Sequence, residues 1–179
     1  ILLFHPVTSE INNLKKQSKI LVDAILKSNR NLIIIYPNND HGSDQILNEY
    51  EKFEKIKRYR VIPSMRFEYF LTVLKNAKFI IGNSSAGIRE APYFGVPTIN
   101  VGTRQHNRSQ GHSILNVDFS SQQINSAIDQ IKKIKKRPTK LFGSGDSAAK
   151  FVKIMKKNQK IWSSNTQKYF KDYKFKIIK

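Results

Sequence analysis

The feature that most limits how this chain folds is an alternation. Short apolar runs rich in Ile and Val are separated by longer stretches whose apolar residues recur at helical spacing. Strand and helix in regular succession is the signature of βαβ units, and such units build a parallel sheet covered by helices on both faces. The expected fold class is therefore α/β with a Rossmann-like parallel sheet. Residues 1–5 read as a first strand, and Thr8 or Ser9 as the cap of a helix with an apolar stripe through Ile11, Leu14, Leu21, Ala24 and Ile25 that ends near Asn29. Residues 32–36 form a continuous apolar strand of the doubly covered kind. The turn formers of Pro37-Asn38-Asn39-Asp40-His41-Gly42 follow, and then a helix over 43–55. Tyr59–Ile62 is a third strand, and 66–76 a helix whose aromatic residues Phe67, Tyr69 and Phe70 are expected in the core. A fourth strand over 78–81, the loop Gly82-Asn83-Ser84-Ser85-Ala86-Gly87 and a short helix over 88–94 come next. Strands at Thr98–Val101 and Ile114–Val117 flank a long polar loop, and helices are expected over 120–136 and 147–160.

With 179 residues and 39% hydrophobic content, the chain is sized for one domain with a buried core, which excludes disordered and fibrous classes. Its apolar runs fall far short of the ~20 residues that cross a bilayer, so no membrane partner is expected. The opening Ile1-Leu2-Leu3-Phe4 carries no starting Met and no signal-peptide pattern, and it reads as a strand entered mid-protein. The absence of cysteine excludes a disulfide scaffold, a thiolate metal site and a Cys nucleophile, and it fits a reducing compartment, so the cytoplasm is the expected location.

The net charge of +19 is unevenly placed. Residues 1–130 hold 16 basic and 11 acidic side chains, whereas residues 131–179 hold 16 basic and only 2 acidic ones. Nucleic-acid readers favour Arg, but 24 of the 32 basic residues are Lys and the C-terminal stretch has only Arg137. A solvated Lys-rich face, or an interface with absent chain, accounts for this excess better than a nucleic-acid module does.

In an open parallel sheet, ligands bind beyond the carboxyl ends of the strands. The loops at that edge carry His5, Asn38, Asp40, Ser84, Ser85, Arg104, His106 and Arg108. The Gly82 to Gly87 loop has two readings: a strand-to-helix turn whose N–H groups and hydroxyls cradle a diphosphate, or a serine helix cap with no ligand. No Lys-Ser/Thr pair follows Gly87, which excludes a Walker A loop, and Ala86 stands where a hydrolase nucleophile elbow needs Gly. Glu90 either meets the ribose of a nucleotide held at the serines or simply complements a helix N-terminus. Arg104 offers a planar fork of donors to a diphosphate. His5 is the one histidine directly after a strand, suited to hydrogen bonding with a phosphate, while His41, His106 and His112 lack metal-ligand spacing.

These residues also carry a resemblance. Phe4-His5-Pro6-Val7-Thr8, Tyr36-Pro37-Asn38-Asn39-Asp40, the run from Ile81 to Glu90, and Gly95-Val96-Pro97 through Gly102-Thr103-Arg104-Gln105 are similar to the C-terminal domain of UDP-N-acetylglucosamine 2-epimerases over residues 1–160. Pro6-Val7-Thr8 looks closest to the hydrolysing branch of sialic acid and capsule polysaccharide synthesis, since non-hydrolysing relatives tend to carry Arg-Arg-Glu-Asn there. The resemblance implies the C-terminal half of a glycosyltransferase-B-type fold, a basic tail or helix at 161–179, and an N-terminal domain absent from this chain. It implies UDP and UDP-N-acetylglucosamine as ligands, with no metal or other cofactor, and leaves a homo-oligomer open. By the same match His5 contacts the diphosphate and assists departure of UDP, and Asn38 helps to bind UDP. Met65 meets the uracil through its backbone, Ser84 and Ser85 grip the phosphates, Glu90 takes the ribose hydroxyls, and Arg104 lies near the nucleotide. Enzymes for a diacetamido sugar, or another glycosyltransferase, are the nearest alternatives on this scaffold.

Overall fold

The computed structural model describes residues 1–108, 111–157 and 167. Six parallel strands form one sheet: β1 (Leu2–Leu3), β2 (Leu32–Ile35), β3 (Tyr59–Ile62), β4 (Ile80–Gly82), β5 (Thr98–Val101) and β6 (Ile114–Val117). Their spatial order is β3-β2-β1-β4-β5-β6, with Leu2 level with Ile34 on one side and Ile81 on the other. The order reverses direction at β1, so the loops after β1 and β4 border the crevice where doubly wound sheets take their ligands.

Helices cover both faces. Against one face pack α1 (Ile11–Ser28), α2 (Ser43–Glu54) and α5 (Ser121–Gln130), contributing Leu14, Leu21, Ile25, Ile46, Phe53, Ile124 and Ile128 to a core with Leu2, Ile34, Ile81 and Ile99. Against the other lie α3 (Phe67–Asn76) and α4 (Glu90–Tyr93), through Phe70, Leu74 and Ala91. Every residue of β5 is buried, as expected of a sheet covered twice, and its polar Thr98 and Asn100 are paired, with the Gly87 carbonyl and Asn116 Oδ1 respectively. Truncating a fully buried member such as Leu21 removes about 2–5 kcal/mol of stability.

Four local expectations are corrected. Neither Thr8 nor Ser9 caps α1: a 3-10 turn (Thr8–Glu10) leads in, and its Ncap residue is Val7, which has no hydroxyl to offer. The stop at Asn29 does occur, in the left-handed conformation that Asn tolerates. The helix expected over 120–136 ends at Gln130, passes through a 3-10 turn (Ile131–Lys133), and becomes extended at Ile134; Ile131 is buried in the core and Ile134 packs half-buried against it, with exposed lysines at 132, 133, 135 and 136. The loop expected over 82–87 contains a 3-10 turn (Ser85–Gly87), and the short helix expected over 88–94 narrows to Glu90–Tyr93. Finally, Phe67 and Tyr69 are not core residues, being 59% and 62% exposed. Phe70 and Leu74, one turn apart, are buried against the sheet with Leu71 and Val73 half-buried beside them, so the apolar arc of this ten-residue helix does not extend to Phe67 or Tyr69.

The chain divides into two units, Ile1–Phe142 and Gly143–Lys179. In the second, α6 (Ser147–Lys157) is preceded by Gly143 and Gly145 at positive φ, and Asp146 pairs with Lys150 one turn on at 3.0 Å. Residues 158–160 of the expected helix, and nearly all of the 161–179 tail, lie outside the described residues. No helix among the described residues is long and apolar enough to cross a membrane.

Candidate functional site

Phe4 anchors the exit of β1, buried and set edge-on to Phe119 with ring centroids 5.8 Å apart. His5 follows it and is 5% exposed. Its backbone N–H donates to Asn83 Oδ1 and its carbonyl accepts from Asn83 Nδ2, both at 2.8 Å. The side chain of Asn83 thus takes the place of a further rung between β1 and β4. The carbonyl of Asn83 in turn accepts from Arg104 Nη1 at 3.2 Å and Gln105 Nε2 at 2.8 Å, which brings the loop after β5 to the same point. The loop after β2 joins through the Asn38 N–H, which donates to His5 Nδ1 at 3.1 Å. Four post-strand loops therefore meet on His5 and Asn83.

This geometry decides the tautomer of His5. Because Nδ1 accepts, the ring proton of the neutral imidazole sits on Nε2 and is free to be donated. Burial pulls the His5 pKa down to about 4; the positive Arg104 adds to the fall and Asp40 opposes it. Burial likewise lowers Arg104 from its usual range, with Asp40 acting against the change and Arg108 with it. A neutral Nε2–H donor beside a guanidinium suits an anion better than it suits proton abstraction.

Met65, Ser84, Ser85 and Glu90 meet in a second cluster. With Leu3, Ile35, Phe67 and Phe70 they line a hollow of about 310 Å³. Ser84 Oγ accepts from the Ala86 N–H at 3.3 Å, so it does cap the 3-10 turn; an accepting hydroxyl keeps its own proton to give away, and capping and ligand binding are compatible. Glu90 opens α4 and borders the same hollow as the serines. Its apolar wall explains the exposure of Phe67, whose ring faces a site instead of the core. Gly82 permits the close approach of β4 to β1: its φ is +133°, and a Cβ there would stand 2.1 Å from the Leu3 carbonyl oxygen.

Seven of the residues singled out from the sequence therefore fall in two groups, His5, Asn38 and Arg104 around Asn83, and Met65, Ser84, Ser85 and Glu90 around the hollow; Asp40 acts on His5 and Arg104, and Arg108 on Arg104, through charge, while His106 is exposed. Asn83 and Gln105 were assigned no individual role from sequence, and Phe67 was expected in the core. Asn83 and Gln105 stand inside the segments that carry the family resemblance, and both prove buried, at 1% and 3% exposure. Among the described residues no three His, Asp or Glu side chains gather as a metal site would require.

The family model for UDP-N-acetylglucosamine 2-epimerase matches residues 1–156. The chain belongs to the UDP-N-acetylglucosamine 2-epimerase family. A UDP-N-acetylglucosamine 2-epimerase of Neisseria meningitidis serogroup B is 44% identical over 176 residues, covering 96% of this chain and 46% of that protein. A UDP-N,N'-diacetylbacillosamine 2-epimerase (hydrolyzing) of Legionella pneumophila is 28% identical over 157 residues, covering 87% of this chain and 42% of that protein. The crystal structure of the Methanocaldococcus jannaschii UDP-GlcNAc 2-epimerase in complex with UDP-GlcNAc and UDP superposes with a TM-score of 0.71 at 20% identity, over 87% of this chain and 44% of that one. That likeness shows the fold, an α/β Rossmann-like domain of the glycosyltransferase-B kind. The chain spans about half the length of the relatives it matches. Both residue groups stand at the carboxyl edge of the sheet and border the switch between β1 and β4.

Proposed function

We propose that residues 1–160 are the UDP-holding domain of a hydrolysing UDP-N-acetylglucosamine 2-epimerase, followed by a basic segment at 161–179, and that the reaction supplies N-acetylmannosamine for sialic acid synthesis in the cytoplasm. The observation that carries this reading is the convergence of His5, Asn38 and Arg104 on Asn83 beside the hollow of Ser84, Ser85 and Glu90, in a chain of this family. Ser84 and Ser85 donate to the phosphates, and Arg104 neutralises part of their charge with a directed pair of donors. Met65 meets the uracil through its backbone, Glu90 accepts from the ribose hydroxyls, and Asn38 closes the site from the β2 side.

The chemistry begins with loss of the C2 proton of the sugar and departure of UDP from C1 with the electron pair of the C1–O bond, leaving a double bond between C1 and C2. Water then adds across it, its hydroxyl going to C1 and a proton returning to C2 from the opposite face. This yields N-acetylmannosamine and free UDP. His5 contributes a hydrogen bond from Nε2–H to the departing diphosphate, in a site with little water to compete. The groups that move the C2 proton belong to an N-terminal domain, the partner this chain is built to face. The hydrolysing branch is supported by Pro6-Val7-Thr8 after the strand. The 44% identity to a UDP-N-acetylglucosamine enzyme, against 28% to a diacetylbacillosamine enzyme, favours N-acetylglucosamine as the sugar. The diacetamido sugar is the second reading. Calorimetric titration of UDP tests the nucleotide site: binding in the micromolar to millimolar range that Ser84→Ala, Ser85→Ala removes is the expected result, and a chain that ignores UDP overturns it.

A further inference from the structure

Glu10 behaves unlike an ordinary acidic residue at a helix start. It occupies the Ncap position of α1, where a carboxylate usually accepts from first-turn N–H groups, yet it makes no side-chain cap hydrogen bond. Both of its oxygens are used elsewhere. Oε2 accepts from Gln17 Nε2 at 2.8 Å, and Oε1 accepts from the hydroxyl of Thr103, a residue 93 positions away in the chain. Thr103 opens the turn after β5: its carbonyl accepts from the His106 N–H at 2.8 Å, and the next two residues, Arg104 and Gln105, reach the Asn83 carbonyl. That turn is held from two sides, by Glu10 from the β1 side and by Asn83 from the β4 side.

Gly102 shows why the second hold matters. With φ at +76° and its N–H on the Val117 carbonyl, it swings the chain away from β5 over the Phe119 ring. A glycine at the base of a loop leaves the loop free to pivot. The inward bonds of Arg104 and Gln105 end on one carbonyl oxygen, and that alone fixes a point of the loop, not its rotation about that point. A charge-assisted hydrogen bond at the neighbouring residue fixes the rotation.

We propose that Glu10 is a positioning residue: through the Thr103 hydroxyl it sets the direction in which the Arg104 guanidinium meets the diphosphate. This rests on the nucleotide reading above. Glu10 touches no ligand, and its influence passes through one side chain to another.

The test is titration of the chain with UDP and, separately, with uridine, which lacks phosphates. Glu10→Ala and Thr103→Val are each expected to weaken UDP by about tenfold, the range for losing a hydrogen bond to a charged group, and to leave uridine unchanged. In an Arg104→Ala background the same substitutions should produce no additional loss of UDP affinity. Thr103→Ser, which keeps the hydroxyl, should bind as the parent does. Glu10→Gln should also be mild, because Gln17 Oε1, buried without a partner in the described residues, is available to an amide. Equal losses for UDP and uridine, or an undiminished loss without Arg104, would show that Glu10 merely holds the fold and would overturn the proposal while leaving the nucleotide reading intact. Failure of the parent chain to bind UDP would overturn both.

Discussion

The side chain of Asn83 satisfies both the N–H and the carbonyl of His5, at 2.8 Å each, and does so almost wholly out of water. One amide thereby stitches the exit of β1 to the exit of β4 and presents its own carbonyl to Arg104 and Gln105. Asn83→Ala would leave a buried donor and a buried acceptor on His5 unpaired, at about 1–3 kcal/mol apiece. Urea denaturation should show a stability loss of that order, and UDP titration a weakened site. A variant as stable as the parent would mean that the clasp is not formed.

Ser84→Ala, Ser85→Ala should separate stability from binding. The loss to folding is that of one helix-cap hydrogen bond, about 1 kcal/mol, since Ser84 caps a single 3-10 turn. UDP binding should vanish from calorimetry while the thermal transition moves by only a few degrees.

His5 sets an acid limit. Its folded pKa of about 4 lies below the unfolded value of 6.5, so the unfolded chain binds the extra proton between these pH values. The stability contributed by neutral His5 is therefore complete above pH 6.5 and is lost as pH falls to 4, by about 3 kcal/mol in all. His5→Asn keeps an acceptor for the Asn38 N–H but does not titrate. Denaturation midpoints measured from pH 7 to pH 4 should fall less steeply for this variant than for the parent; parallel curves would contradict the buried neutral state.

Gly82→Ala should be among the most damaging single changes in the protein. The added methyl would overlap the Leu3 carbonyl and carbon, at 2.1 and 2.7 Å, and the backbone there has φ of +133°. Neither β1 nor β4 can retreat without breaking the sheet at its switch point, so a loss above ~3 kcal/mol is expected in thermal melts.

The 179-residue chain by itself is expected to bind UDP weakly and to convert nothing, because the groups that move the C2 proton are proposed to lie on another domain. Release of UDP from UDP-N-acetylglucosamine by the purified chain, followed by a coupled nucleotide assay, would show that the reaction needs only this half.

The alternation of apolar runs was enough to place six strands in order and to locate the ligand edge of the sheet. Period and burial are local properties of a strand or helix, and all six strands begin within two residues of their sequence-read starts. The post-strand motifs were equally legible, because the carboxyl ends of parallel strands all open on one side. Helix ends and side-chain surroundings were not. Nothing in the residues around Phe67 says that α3 buries Phe70 and Leu74 against the sheet and leaves Phe67 lining a hollow; that follows from where the helix lies in the fold. Nor does Asn83 differ, as a letter, from the turn-forming asparagines at positions 38 and 39. Its role arises because β1 and β4, separated by 78 positions, lie side by side, and only that pairing sets its amide against the backbone of His5. The sequence by itself determined the layers, the order of elements and the types of group available at the sheet edge, since each is written in short-range spacing. The tertiary structure alone decided which of those groups touch, and hence the tautomer of His5 and the anchoring of Arg104, since hydrogen bonds between distant loops depend on coordinates that no local pattern encodes.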